Sequence, residues 1–237
     1  MQSSVQHQAM GYDRASTMFS PDGRLLQVEY AKKTVKRGSD TVGIVCKDGV
    51  LLLTNRRIVD KLIVARSVEK VFQVDDHIGA AAAGILSDGR ILIEKAQVLA
   101  QQHRVSYDEP IDSGVLVKEL CNMKQAFTQY GGARPFGVSL MVVAADKGKA
   151  KLYVTDPTGI YFEYKATAIG ESEDELKEFL GRKYKETLNL DDGLKLGVDA
   201  LKTVLGKEFS LEKLDGCYIK HGEGFHRLKK EQLKKLK

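Results

Sequence analysis

Short apolar runs and pairs of amphipathic stretches alternate in blocks along this chain, and that order leaves few folds open. Val42 to Cys46 and Val50 to Thr54 are β-branched-rich runs joined by Lys47-Asp48-Gly49. There the Asp-Gly pair supplies the positive φ of a tight hairpin. Val68 to Val74 and Ile78 to Ala83 repeat the arrangement around Asp75-Asp76, and the run Ala80 to Ala83 is small enough to imply close packing against something bulky. The period then turns helical. Leu92, Ala96 and Leu99 stand at i, i+4 and i+7, and a second helix reads through Val115, Leu116, Leu120, Met123 and Phe127 before Tyr130-Gly131-Gly132 ends it. Strands return at Val138 to Ala145, Lys151 to Thr155 and Ile160 to Tyr164, the last two parted by the turn Asp156-Pro157-Thr158-Gly159. Helical spacing follows through Leu176, Phe179 and Leu180 and through Leu194, Val198, Leu201 and Leu205, and Tyr218, Ile219 and Phe225 mark a last short hairpin. Blocks of this kind predict antiparallel sheets with segregated helical layers, not a parallel sheet of βαβ units. The expected class is α+β, with two stacked sheets between helix pairs.

A chain of 237 residues buries a sizeable core as one domain. Arg227 to Lys237 carries six basic residues against Glu231 alone, and this accounts for the whole formal charge of +5. Phosphate recognition wants basic residues spread over a face or groove, so a nucleic-acid partner is not expected, and the basic end reads as a solvated last helix. Cys46, Cys121 and Cys217 lie far apart without CxxC spacing, which suggests neither a disulfide framework nor a zinc site and fits a reducing compartment. Met1 to Met10 lacks the basic and apolar regions of an export signal, and the longest apolar run, Ile78 to Leu86, is too short to span a bilayer. A soluble cytoplasmic protein with no membrane partner is expected.

Catalytic patterns are sparse. His221-Gly-Glu-Gly-Phe-His226 lacks HExxH geometry and its glycines suit a hairpin turn. Gly131-Gly132 is followed by Ala-Arg-Pro, without the lysine and hydroxyl of a phosphate cradle. Asp191-Asp192 and Glu173-Asp174-Glu175 sit where helices begin and where carboxylates meet the macrodipole favourably. No metal and no cofactor are expected. One place has the form of a catalytic vestige: Gly38-Ser39-Asp40-Thr41-Val42-Gly43 leads into the first strand, Asn55-Arg56-Arg57 ends the next, and Lys70 begins another. Hydrolases that use a freed N-terminal Thr, Ser or Cys need a Gly before the nucleophile, an α-amine as base, and a Lys and an acid to tune proton transfer. Here Asn55 holds the place of the acid, and no α-amine exists at Ser39 unless the chain is cut at Gly38.

Ahead of these elements, "YDRASTMFSPDGRLLQVEYA" combines a polar lead, the turn Ser20-Pro21-Asp22-Gly23 and a short helix striped by Leu25, Val28, Ala31 and Val35. Met1 to Met10 before it is polar enough to remain disordered. This stretch resembles the N-terminal signature of archaeal-type proteasome α subunits, and the likeness continues through "GSDTVGI", "SVEKVFQVDDHIGAAAAG", "TQYGGARPFGVSL" and "EYKATAIG". The resemblance implies a four-layer αββα sandwich related to N-terminal nucleophile hydrolases, with residues 1–23 as a gating tail and turn and 24–237 as the single domain. It implies a non-catalytic subunit of the proteasome core particle, joined to other α subunits in a seven-membered ring. The expected partners are proteasome β subunits, a hexameric regulatory ATPase docking through its C-terminal carboxylates, and unfolded substrates in transit. The alternative is a self-processing N-terminal nucleophile hydrolase using Ser39.

Where motifs match, the resemblance carries roles over to residues. Tyr12, Asp13, Arg14, Pro21 and Tyr30 stand where the family forms the cluster that holds its tails open. Lys70 stands at the lysine that receives an activator's terminal carboxylate, in a pocket also lined near Gly38 and Gly84, whereas the plain alternative is an exposed strand-end lysine. Tyr130, Gly131 and Gly132 match the loop of the pore annulus. Two departures are visible: Phe136 where Tyr is commoner, and Asp40 where Ser or Thr is usual, the second of which weakens Ser39 or Thr41 as a nucleophile.

Overall fold

A computed structural model of the chain describes residues 10–12, 14–57, 60, 62–64 and 67–234. Among these residues ten strands form two antiparallel sheets of five. The turn at Ser20 closes with the Gly23 N–H donating to the Ser20 carbonyl at 2.8 Å. It feeds α1, Leu26–Val35, whose Leu26, Val28, Ala31 and Val35 are buried; the expected stripe is the packed face except at its start, where Leu25 is the N-cap and half-buried and Leu26 takes its place. β1 (Thr41–Cys46) and β2 (Gly49–Asn55) form the Asp-Gly hairpin in unbroken register, Thr41 opposite Thr54 and Cys46 opposite Gly49. Their apolar runs do not alternate because both faces are covered: Val50, Leu51, Leu52 and Leu53 are each at most 1% exposed.

β3 (Val71–Asp75) and β4 (Ile78–Gly84) form the second hairpin. β3 begins at Val71, not Val68, since Ser67 closes a turn onto the Val64 carbonyl and the chain is still bending there. α2 (Leu86–Tyr107) and α3 (Ser113–Phe127) cover this sheet. Close packing at the alanine run is present, but towards α2 the neighbour is a glycine: a Cβ on Gly89 would come within 2.8 Å of the Ala82 Cβ. Asp112 caps α3, its Oδ1 accepting from the Gly114 and Val115 N–H groups. β5 (Val138–Asp146), β6 (Lys149–Thr155) and β7 (Tyr161–Glu163) complete the sheet in the order β3-β4-β5-β6-β7.

The chain then crosses to the other sheet through β8 (Ala166–Ile169), a strand that sequence reasoning missed, which pairs with β1, Thr41 opposite Ile169. α4 (Glu173–Lys183) and α5 (Leu190–Leu205) cover that sheet, with their acidic clusters in the first turns as expected. β9 (Leu214–Lys220) and β10 (Phe225–Arg227) finish it in the order β10-β9-β2-β1-β8. His221 lies in the turn that joins these two strands, and the His226 ring stacks on Tyr218 with centroids 5.2 Å apart. The basic end differs from a purely solvated helix: α6 (Lys230–Lys234) docks Leu233, 3% exposed, into the core beneath α5.

Three apolar layers hold the sandwich. One lies between α2, α3 and their sheet, a second between α4, α5 and theirs, and a third between the sheets, with Val50, Leu52, Ala81, Met141, Leu152 and Cys217 among its members. Among the described residues no helix is long and apolar enough to cross a membrane.

Candidate functional site

The glycine before Ser39 fixes the geometry at this end of the sandwich. Gly38 is where the chain leaves α1, its N–H donating to the Val35 carbonyl at 2.9 Å and its carbonyl accepting from the Glu171 N–H at 2.9 Å. A Cβ on Gly38 would lie 2.4 Å from the Gly84 nitrogen, and Gly84, at φ +118°, would set its own Cβ 2.2 Å from the Gly137 carbonyl oxygen. Two backbones can approach this closely only without side chains, and Gly84 also needs a conformation L residues avoid. Residues 46 positions apart in sequence are thereby fixed side by side.

Lys70 reaches the same place from the start of β3. It is 3% exposed, which rules out the exposed strand-end lysine. Its Nζ donates to the Ser39 carbonyl at 3.2 Å and to the Ser39 hydroxyl. Burial pushes the ammonium down to about 8, opposed by the nearby Asp40 carboxylate. Asp40 is itself 3% exposed, and burial pushes its carboxyl up, although its Oδ1 accepts from the Ser172 N–H at 2.8 Å. The structure therefore brings Lys70, Gly38 and Gly84 together and adds Ser39 and Asp40. Beside them opens a polar cavity of about 430 Å³ lined by Ser39, Asp40, Asn55, Arg56, Arg57 and Glu171. The Arg57–Glu171 ion pair, at 3.3 Å, stands at its rim. Asn55 Oδ1, in the place where a hydrolase needs an acid, is buried without a hydrogen-bond partner. Thr41 is fully buried and its hydroxyl bonds the Thr54 hydroxyl at 3.0 Å, so it presents no nucleophile to the cavity.

The second group of residues lies on the N-terminal segment and the loop after α3. Tyr12 is half-buried, Arg14 and Pro21 are exposed, and Tyr30 on α1 carries the Lys33 ammonium over its ring at 5.4 Å. Asp13 and residues 1–9 of the tail lie outside the described residues. Tyr130 is 63% exposed, and Gly131 and Gly132 have open space around them, with Gly132 at φ +84°. Ser16 brings the segment to this loop, its hydroxyl facing the Tyr130 carbonyl at 3.5 Å.

Sequence reasoning missed the anchor that ties the two groups. Asp88 at the start of α2 grips Arg134 bidentately, at 2.6 and 2.7 Å, and accepts from the Gly137 N–H at 2.9 Å. The bonds from Arg134 hold the Asp88 carboxyl below its ordinary range. Gly137 in turn accepts from the Thr34 hydroxyl on α1 at 2.7 Å and from the Ile85 N–H at 2.9 Å. Arg134 and Gly137 were both inside the stretch "TQYGGARPFGVSL"; only their partner Asp88 was without a signal. Phe136, at the departure from the commoner Tyr, is 8% exposed and packs its ring 4.7 Å from that of Phe127.

Comparison with known proteins gives concordant results. A family model described as the proteasome subunit matches residues 35–219, and one described as the N-terminal signature of A-type proteasome subunits matches residues 12–33. The chain is 48% identical over 226 residues to the proteasome alpha subunit of Methanocaldococcus jannaschii, covering 95% of this chain and 86% of that one. It is 48% identical over 225 residues to its counterpart in Methanosarcina acetivorans (94% and 91% covered), and 46% identical over 226 residues to that in Archaeoglobus fulgidus (95% and 92% covered).

Proposed function

Because the chain belongs to the proteasome α-subunit family, we propose that it is a non-catalytic ring subunit that gates entry to a proteolytic chamber and docks an activating ATPase. The observation that carries this reading is the packing of the segment ahead of Ser39. α1 buries four side chains, Thr34 bonds Gly137, and Gly38 is wedged against Gly84, so the chain before Ser39 is a built part of the fold, unlike a leader to be cut away. An uncut peptide bond at Ser39 leaves no α-amine to act as base. Residues 1–23 then form the tail and turn of the gate, with Tyr12, Asp13, Arg14, Pro21 and Tyr30 holding its open arrangement. Tyr130, Gly131 and Gly132 border the pore. Small residues and one ring per subunit suit a loop that approaches a common axis without closing it.

Docking is assigned to Lys70 with Gly38 and Gly84. A carboxylate that leaves water for a buried pocket is stabilised by a cation with charge-assisted bonds, and a desolvated lysine supplies one. The partners are further α subunits in a seven-membered ring, β subunits that carry the catalysis, an ATPase and its unfolded substrates, in a cytoplasmic setting. The competing reading, self-processing at Ser39, draws on the contact between the Lys70 ammonium and the Ser39 hydroxyl. It needs an acid where Asn55 stands.

The test uses assembled α/β particles. Deleting residues 1–13 raises hydrolysis of a long unfolded polypeptide while a short fluorogenic peptide, which needs no wide pore, changes less. Equal rates with and without the tail remove the gating role. A mature chain whose intact mass begins at Ser39, together with peptide cleavage by the isolated subunit, replaces the whole reading with the hydrolase.

A further inference from the structure

The polar cavity of about 430 Å³ beside Ser39 lies between two segments that the fold locks together. One is the end of β2, Asn55-Arg56-Arg57. The other is the connection from α5 to β9, which turns at Gly206–Glu208 and again at Leu211–Lys213 and lends Lys207, Glu208 and Lys213 to the lining. Arg56 ties the two, its backbone N–H donating to the Lys213 carbonyl at 2.8 Å and its Nη2 to the Glu212 carbonyl at 3.2 Å. Hydrogen-bonding capacity is left over in the lining. Asn55 Oδ1 is buried without a partner and wants a donor. Ser39 Oγ already accepts from Lys70, which leaves the hydroxyl proton for an acceptor in the cavity.

The charges of the lining do not cancel. Arg56, Arg57, Lys207 and Lys213 share it with Asp40, Glu171 and Glu208. Glu171 is taken by Arg57 at 3.3 Å, and the buried Asp40 is taken up by the Ser172 N–H at 2.8 Å. Against Arg56 and the two lysines there remains Glu208, which is exposed. The Lys207 and Lys213 ammonium groups have neither an ion pair nor a hydrogen bond among the described residues. A simple anion would satisfy the lysines and Ser39 but offers nothing to Asn55. An acidic stretch of peptide offers both, a carboxylate to the former and a backbone N–H to the latter.

We propose that this cavity is a charge-selective subsite for the docking tail, taking an acidic side chain from the residues that precede the partner's terminal carboxylate. The role extends the docking proposed at Lys70 and rests on it for the anchoring carboxylate. Ser39 joins the two places, since Lys70 bonds its carbonyl and hydroxyl while Ser39 lines the cavity. A tail seated at Lys70 therefore has Ser39 between its end and the cavity. The two contacts divide the work: every tail has a terminal carboxylate, so Lys70 cannot tell one from another, whereas Lys207 and Lys213 favour a tail that carries a negative side chain and disfavour one that carries a positive one.

Fluorescence anisotropy of labelled synthetic peptides on assembled full-length α/β particles tests this. The peptides share a free C-terminal carboxylate and differ in one residue, Glu or Gln, placed in turn at each position before the terminus. At one position the Glu peptide binds roughly threefold to fivefold more tightly than its Gln twin at low salt, and the preference fades as salt is raised. Lys207→Gln combined with Lys213→Gln abolishes the preference without abolishing binding, and Glu208→Gln enlarges it. Lys213→Glu shifts the preference towards a Lys peptide, a result that a misfolded variant cannot give. Lys70→Ala, or amidation of the peptide's terminus, weakens the Glu and Gln peptides alike, which separates the anchor from the subsite. Binding with no preference for Glu at any position, or a preference that survives the loss of both lysines, overturns the subsite and leaves docking at Lys70 standing. Particles that bind no peptide overturn both. A Glu preference that needs the two lysines but is indifferent to Lys70 refutes docking at Lys70 and supports the cavity as an acidic-peptide site.

Discussion

At the scale of single residues, two buried lysines make opposite statements about this molecule. Lys70 keeps its ammonium against Ser39 and near Asp40, two residues that line a polar cavity, whereas Lys124 on α3 is fully buried and donates to the Thr155 hydroxyl at 2.8 Å. Burial pushes both down to about 8. Lys70 has a use for its charge under the docking proposal, and its removal costs about 2 to 5 kcal/mol per occupied pocket, since an entering carboxylate is left unpaired. Lys70→Ala is expected to assemble and hydrolyse short peptides normally but to lose stimulation by a peptide ending in an activator's C-terminal sequence. Stimulation of the wild type falls as pH rises past about 8, where the free lysine discharges, and a gate-deleted particle is the control; equal stimulation of wild type and variant refutes docking at Lys70. Lys124 has no such use. A lysine whose ammonium is depressed on folding detracts from stability below about 8, and the deficit shrinks as pH rises from there towards the unfolded value. Lys124→Met, similar in volume and apolar, is therefore expected to raise Tm by about 2 to 4 °C at neutral pH. Scanning calorimetry at neutral and alkaline pH checks both the gain and its decline.

At the scale of elements, the loop that carries Tyr130, Gly131 and Gly132 is open at its tip and fastened at its base. Asp88 holds Arg134 and Gly137 together, and Gly137 bonds α1 through Thr34. Fastening of this kind lets an exposed ring keep its position without packing. Arg134→Ala leaves the Asp88 carboxylate, 8% exposed, with the Gly137 N–H and no cation. A loss of about 1 to 3 kcal/mol is expected, with faster amide exchange confined to residues 128–137. The Asp88 carboxyl is depressed, so its contribution is present above the ordinary carboxylate range and disappears as pH falls through the folded value. Wild type and Arg134→Ala should accordingly converge in stability in acid. A stability gap that persists there assigns the loss to packing and not to the ion pair.

At the scale of the whole molecule, the exposed apolar residues are unevenly placed. Met18 and Phe19 lie beside the N-terminal turn, and Ile91, Val98 and Val105 recur at i, i+7 and i+14 along α2. A turn and a helix that expose apolar side chains in this way suit a chain that buries different patches against different neighbours, and head-to-tail contacts between unlike patches close into rings. Native mass spectrometry of the α chain alone is expected to show a closed ring at micromolar concentration. A monodisperse monomer across that range contradicts the assembly proposal.

Most of the elements, the class and the family were legible in the order of residues alone. Asp-Gly at the first hairpin and the helical spacing of Leu92, Ala96 and Leu99 are local signals, because turn chemistry and side-chain period act within a few residues, although α3 stops at Phe127, with Thr128 as its cap, ahead of the expected glycines. The opening stretch from Tyr12 to Ala31 was equally legible, since a motif is a local pattern too. β8 was not: four residues of Ala, Thr, Ala and Ile show no run of their own, and the strand exists because β1 offers it an edge more than a hundred residues earlier in the chain. The same reason hid Asp88 as the partner of Arg134. Lys70 was named from the motif, but its burial against Ser39, and the meeting of Gly38 and Gly84 with no room for a Cβ, come from how remote segments pack. Burial, close approach and the depressed ammonium all depend on distances between segments remote in sequence, and those are fixed when the two sheets stack.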